Sequence, residues 1–318
     1  MGSVYGELRV FTGNANPVLA QRICDSIGIP LGRAEVFEFS NENIFVRILE
    51  SVRENDVFVV QPLCRPINRS IMELLIMIDA LKRASAGRIT AVLPFFGYGR
   101  TDKKDQPRVP ITARLLADMI SVAGANRVLA LDLHAGQIQG FFNIPVDELT
   151  ASFLIGDYFR EKRLKNLVVL APDLGSAKRA RNVATLVDAS LAIIEKRRVG
   201  NDGHSEVLNV IGTVAGCPVL IVDDEIDTAS SICQAASAAV EHGASAVYAA
   251  CTHPVLSGPA IERLRNSPIK EVVCTDTIPL VLPPETDPGL ITQLSVARIL
   301  GETIQRIHTG TSVTWTFH

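Results

Sequence analysis

Neither sign of charge dominates this chain. Its 318 residues carry 31 Lys and Arg against 34 Asp and Glu, a formal net charge of −3. Bulk attraction to nucleic acid or to a membrane surface is not indicated, so any phosphate site has to be local. No apolar run approaches the roughly 20 residues needed to span a bilayer, and the N-terminus reads as lacking a signal peptide. None of the six cysteines (Cys24, Cys64, Cys217, Cys233, Cys251 and Cys274) stands in a CxxC pair, and most lie in apolar stretches. Disulfide frameworks and zinc sites are disfavoured; reduced, buried thiols in a cytoplasmic protein are expected. The material for a core is ample: 47% of residues are hydrophobic and 20% charged, over a length that suits two domains.

The stretch that organises the rest is Cys217 to Ser231, CPVLIVDDEIDTASS. Its apolar run, Val219 to Val222, predicts a strand buried on both faces. Asp223 and Asp224 arrive where that strand is expected to end. Asp227, Thr228, Ala229, Ser230 and Ser231 follow, and an alanine-rich helix is expected from about Ile232 to Gly243. Strand, acidic turn and helix start is a binding arrangement in open α/β sheets, where ligands sit beyond the carboxyl ends of strands. A helix start offers free N–H groups and suits a phosphate. Paired acids cannot bind phosphate, but they suit sugar hydroxyls or a Mg²⁺-bound neighbour. Phosphate on one side and a vicinal diol on the other describe a ribose 5-phosphate. An ordinary βα turn capped by Asp is the plainer alternative, but four acids in five positions beside Thr-Ala-Ser-Ser weigh against it.

Strand and helix patterns alternate twice along the chain, over roughly 7–146 and 149–305. This predicts an α/β fold of two similar halves, each a mostly parallel sheet flanked by helices, divided as 1–148 and 149–318. No sequence-level repeat accompanies the alternation. A helix starting at Pro17 behind Asn16, a buried helix over Ile71 to Ala84 with two core methionines, and a polar loop over 95–108 are expected in the first half. In the second, a strand over Leu191 to Ile194 leads into Glu195-Lys196-Arg197-Arg198, then a polar stretch from Val199 to Glu206 with the composition of a lid or hairpin. A last long helix is expected from Leu290 to Ile307, then a small edge strand in the tail.

Strand ends put His134, Asp173 and the Asp223/Asp224 pair forward as convergent ligands. His134 and Asp173 suit Mg²⁺, directly or through water, with histidine the weaker ligand. Each also has an ordinary explanation, a hydrogen-bonded core histidine and a helix cap. The basic segment ending in Arg198 is commonly just a solvated charge run. Before a polar loop, however, it suits phosphoryl transfer, which needs mobile cations and exclusion of water.

Several strings together carry a resemblance that runs essentially end to end: FTGNANPVLA at 11–20, MELLIMIDALKRASA at 72–86, FFGYGRTDKKDQPR at 95–108, RVLALDLHAGQIQGFFNIPVDEL at 127–149, APDLGSAKRA at 171–180 and VLIVDDEIDTASS at 219–231. The chain resembles the ribose-phosphate diphosphokinases, which share the type I phosphoribosyltransferase fold. The resemblance implies Mg²⁺-dependent transfer of the diphosphoryl group of ATP to the C1 hydroxyl of ribose 5-phosphate. It implies Lys196 and Arg198 as transition-state cations, and His134 and Asp173 at the metal. Asp223 and Asp224 would hold the ribose hydroxyls, and Asp227 through Ser231 the 5-phosphate. Phe39, Asn41, Asn43, Arg100, Thr101, Asp105 and His134 would meet ATP, with 39–43 lent by a neighbouring subunit of a dimer or hexamer. Arg53, Arg108 and the 309–314 segment match a regulatory region loosely. No side-chain nucleophile is needed, and no single general base stands out.

The chain departs from that pattern at Asn43, at Thr101, at Asn68-Arg69-Ser70, at Leu174-Gly175-Ser176, where one glycine of a pair is lost, and at Ser230, which replaces a glycine. If Ser230 has to adopt a positive φ it would cost roughly 1 kcal/mol or more. Two alternatives stay open from sequence: a non-catalytic relative that modulates a true synthetase, and a salvage phosphoribosyltransferase that consumes phosphoribosyl diphosphate.

Overall fold

The computed structural model describes residues 4–198 and 205–313, with the backbone alone at 196–198 and 205–208. It falls into two compact units. One holds the described residues up to Thr150, Thr277–Pro279 and those from Ser295 onward; the other holds Ala151–Asp276 and Leu280–Leu294.

The first unit runs β1 (Leu8–Thr12), α1 (Pro17–Ile27), β2 (Ala34–Glu38), β3 (Ile44–Ile48), β4 (Asp56–Val60), α2 (Ile67–Arg83), β5 (Arg88–Leu93), α3 (Thr112–Ala123), β6 (Arg127–Leu131) and β7 (Val146–Leu149). Five strands pair in parallel in the order β1-β4-β5-β6-β7. The interior strand β4 is buried at every position, as a parallel strand covered on both faces must be. Asn16 caps α1 by accepting from the Leu19 N–H, Pro17 sits at the helix start, and Gly28 closes it in the left-handed region at φ 79°. Val146–Leu149, where the sequence suggests only a join, is the edge strand β7, held by pairing to β6. β2 and β3 form a separate antiparallel hairpin.

The helix expected from Ile71 starts four residues earlier, at Ile67, directly after Pro66. Its Met77 is core filling but Met72 is 44% exposed, because residues five apart face different sides of a helix. Glu73, on the same helix, is buried at 2% exposure. Four donors compensate it: the Asn14 N–H (2.9 Å) and Nδ2 (2.9 Å), Gln61 Nε2 (2.9 Å) and Arg69 Nε (3.3 Å). Arg69 also reaches Glu38 at 3.2 Å and Asn14 donates to the Val36 carbonyl, so this network ties the hairpin to the sheet.

The second unit runs α4 (Ser152–Glu161), β8 (Val168–Ala171), α5 (Ala177–Leu186), β9 (Ser190–Arg198), β10 (Ser205–Ile211), β11 (Pro218–Ile226), α6 (Ser230–Glu241), β12 (Ala246–Pro254), α7 (Ala260–Arg265), β13 (Ile269–Thr275) and β14 (Ile291–Leu294). Its sheet is ordered β10-β9-β8-β11-β12-β13-β14, parallel except where β10 meets β9. The last helix, α8, begins at Ala297 rather than Leu290, because 291–294 extends the sheet. α8 (Ala297–Thr309) packs on α1, where Gly301 is needed: a Cβ there would lie 2.2 Å from Ser26 Oγ. Its end is anchored to a fully buried carboxylate. Asp56 takes Arg88 on both oxygens (2.8 and 2.6 Å) and His308 Nδ1 at 2.9 Å, and Arg88 also donates to the Ile307 carbonyl. The tail strand proposed from sequence falls mostly on 314–318, outside the described residues.

Candidate active site

The acidic strand is longer than its composition suggests. β11 does not stop at Val222: Glu225 and Ile226 still pair with His253 and Pro254 of β12. The neighbouring strand supplies ladder partners, and that outweighs the poor strand propensity of Asp. From Asp223 onward burial alternates, with Asp224 and Ile226 buried and Asp223 and Glu225 partly exposed, yet the carboxyls of Asp223 and Asp224 lie close enough for one Arg179 nitrogen to reach both.

The turn that follows is built to leave donors bare. Asp227 is fixed by Ser257, whose hydroxyl and N–H donate to its carboxylate and carbonyl. Arg263 holds the Thr228 carbonyl at 2.9 Å. Ala229 takes φ 60°, ψ 8°, and α6 begins at Ser230. The left-handed residue is therefore Ala229, not Ser230, and the serine substitution carries no φ penalty. The N–H groups of residues 228–232 donate no hydrogen bond among the described residues. Such a row at a helix start is an anion cradle.

Asp173 follows β8, the strand beside β11, so Asp173 and Asp223 leave adjacent parallel strands at the same edge. One oxygen of Asp173 does the work of a helix cap: Oδ1 accepts the Ser176 N–H at 3.0 Å and Ser176 Oγ at 3.1 Å. Ser176 Oγ also lies 3.1 Å from Asp223 Oδ1, which accepts the Asp224 N–H at 3.0 Å. Arg179 Nη1 sits 2.9 Å from Asp224 Oδ1 and 3.8 Å from Asp223 Oδ1. Burial, then the adjacent Asp224, push the Asp223 carboxyl up to about 7, against the pull of Arg179. Ser176 and Arg179 are site residues that sequence reasoning missed. Their only signal was position: three and six residues past Asp173, on the helix that strand β8 feeds.

His134 does not share that sheet edge. It follows β6, in the other unit, so the argument that parallel strand ends gather all the ligands holds for Asp173, Asp223 and Asp224 alone. The first unit collects its own set. His134 is exposed rather than a core histidine, and its Cβ lies 3.3 Å from where a Cβ on Gly99 would stand, so the 95–100 loop packs against it. Thr101 is turned inward, its hydroxyl donating to the Tyr98 carbonyl at 2.7 Å, while Arg100 and Asp105 are exposed. Asp102, buried, is held by Gln137 at 2.6 Å. Phe39, Asn41 and Asn43 form the hairpin tip, where the Asn43 carbonyl accepts the Phe39 N–H at 2.9 Å. Phe39 is 49% exposed, edge-on to Phe37 and Phe45. Core packing is therefore not its role.

Lys196 and Arg198 lie near the end of β9, paired in backbone with Val207 and Ser205 of β10. Their side chains, and residues 199–204 of the expected lid, lie outside the described residues. Among the described residues no group of three or more His, Cys, Asp or Glu is placed to hold a metal. All six cysteines are unpaired, and burial pushes Cys24 and Cys64 up to about 11. No described helix is long and apolar enough to cross a membrane.

Fold and turn define a class: a two-unit α/β protein with a parallel-sheet βα turn of the anion-cradling kind. Residues 8–124 match the N-terminal domain of ribose phosphate pyrophosphokinase, and 201–318 match a phosphoribosyl synthetase-associated domain. The chain is 53% identical over 318 residues, all of both chains, to the ribose-phosphate pyrophosphokinase of Caldanaerobacter subterraneus subsp. tengcongensis. It is 48% identical over 319 residues, again all of both, to that of Bacillus subtilis. A crystal structure of phosphoribosylpyrophosphate synthetase from Mycobacterium smegmatis superposes with a TM-score of 0.89 at 41% identity, covering 95% of this chain and 99% of that one. The chain belongs to the ribose-phosphate pyrophosphokinase family, a family of enzymes.

Proposed function

We infer that this protein transfers the diphosphoryl group of ATP to the C1 hydroxyl of ribose 5-phosphate, giving phosphoribosyl diphosphate and AMP for nucleotide biosynthesis. The observation that carries the reading is the turn after β11: two acids at a strand end, followed by five consecutive N–H groups with no described acceptor. Asp223 and Asp224 accept the ribose hydroxyls, and the 227–231 turn takes the 5-phosphate through its backbone and the Thr228, Ser230 and Ser231 hydroxyls. Phe39 offers an exposed ring face to adenine, and Arg100 a guanidinium to the triphosphate. Lys196 and Arg198, beside the 199–204 segment, compensate charge that grows on the transferred group.

Asp173 and His134 are assigned to Mg²⁺. Asp173 by itself fits such a role: its Oδ2 takes no hydrogen bond among the described residues, and Mg²⁺ favours few protein oxygens, with water and substrate phosphates completing its shell. A metal held there would neutralise phosphate charge. Self-association to dimers and hexamers, in a cytoplasmic setting, goes with the same reading, and the exposed phenylalanines of the hairpin support it. The test is AMP release from ATP, Mg²⁺ and ribose 5-phosphate. No AMP above background refutes the inference, and diphosphate release from phosphoribosyl diphosphate plus a nucleobase would replace it with salvage.

A further inference from the structure

One buried side chain at the sugar site has no part in the roles above. Ser176 is 7% exposed and stands where the family resemblance has a second glycine. Its N–H already serves Asp173, so the hydroxyl is not needed to cap α5. Yet Oγ is 3.1 Å from Asp173 Oδ1 and 3.1 Å from Asp223 Oδ1, 47 residues away. The inner oxygen of each acid is thus within reach of the hydroxyl and also accepts a backbone N–H, Asp173 Oδ1 that of Ser176 and Asp223 Oδ1 that of Asp224. Asp173 Oδ2 takes no hydrogen bond among the described residues, and the Asp223 carboxyl also lies against that of Asp224. A serine hydroxyl has a single proton to donate, so Oγ serves one carboxylate at a time.

We propose that Ser176 is a positioning residue that couples the metal-side acid to the sugar-side acid, so that occupancy of one raises affinity at the other. This rests on the assignment of Asp173 and Asp223 made above. Asp173 holding Mg²⁺ would have less charge left on Oδ1, and the hydroxyl proton would turn to Asp223 Oδ1. Asp223 is then held by two donors on Oδ1 while it accepts a ribose hydroxyl. By reciprocity the sugar phosphate raises metal affinity by the same factor. A glycine at this position has no hydroxyl to pass between the acids.

The coupling is measured as the ratio of ribose 5-phosphate dissociation constants, by calorimetry on the full chain, in metal-free buffer and with Mg²⁺. Ser176→Ala is expected to lower that ratio by about fivefold to tenfold, the net worth of one ordinary hydrogen bond. Ser176→Gly should do the same, and Ser176→Thr, which keeps the hydroxyl, should restore most of it. A general packing defect would weaken both arms alike and leave the ratio unmoved. An unchanged ratio in Ser176→Ala, or a ratio of one in the parent protein, overturns the bridge while the sugar assignment stands. Failure of the parent protein to bind ribose 5-phosphate in either buffer brings down the sugar assignment, and the bridge with it.

Discussion

Replacing Asp223 by Asn should inactivate the protein and make it more stable at alkaline pH. The carboxyl lies near Asp224 and Asp173, partly withdrawn from water, and its folded value is raised from 3.8 to about 7. A raised acid holds its proton in the folded chain at pH values where the unfolded chain has lost it. Its stabilising contribution is therefore present at low pH and is lost as pH rises from about 4 through about 7. At about 1.4 kcal/mol per unit, the charged form is disfavoured in the folded state by up to about 4 kcal/mol above that range. Relaxation and the Arg179 contact reduce this, and about 1–3 kcal/mol is expected. Asn keeps the shape and has no charge to lose. Urea unfolding of the two proteins at pH 5 and pH 8, without metal or substrate, reads the difference. The variant should gain on the parent as pH rises. A variant less stable at pH 8, or a gap that does not widen between the two pH values, would show that the acid cluster is not strained and that the reasoning fails.

Lys196→Ala should lower kcat by about 10²- to 10³-fold, the usual loss on removing one transition-state donor, with the ribose 5-phosphate dissociation constant little changed; a purely structural lysine would move both. Ala229→Gly should be neutral or stabilising by up to about 1 kcal/mol because Ala229 occupies the left-handed region, whereas Ser230→Gly, inside the first turn of α6, should cost roughly 0.5–1 kcal/mol; equal shifts in melting temperature would contradict the assignment of φ. Glu73→Gln turns an amide N–H donor toward the donors of Asn14 and Gln61, and should cost about 2–4 kcal/mol and raise the KM for ATP more than that for ribose 5-phosphate, since the network anchors the hairpin carrying Phe39. Steady-state kinetics with both substrates checks that split, and equal effects on both would confine Glu73 to general packing.

Much of the fold was legible because its signals are local. Short apolar runs such as Val57–Val60 read as buried strands, and Asn16-Pro17 marks the start of a helix without reference to anything distant. The acid-rich turn was legible for the same reason: strand, carboxylates and helix start are contiguous in Cys217–Ser231. What depends on a partner far along the chain was not. β11 runs on through its own acids because His253 and Pro254 offer ladder bonds, and Val146–Leu149 is a strand only because β6 lies beside it. Nothing local says that Ser176 reaches Asp223 or that Arg179 reaches Asp224, since those contacts exist only once β8 and β11 are neighbours. Nor does sequence say which turn residue takes the positive φ. Chemistry written in adjacent residues was fixed by composition and order; the sharing of charge among Asp173, Asp223 and Asp224 was decided by strand pairing, which sets distances that no spacing along the chain encodes.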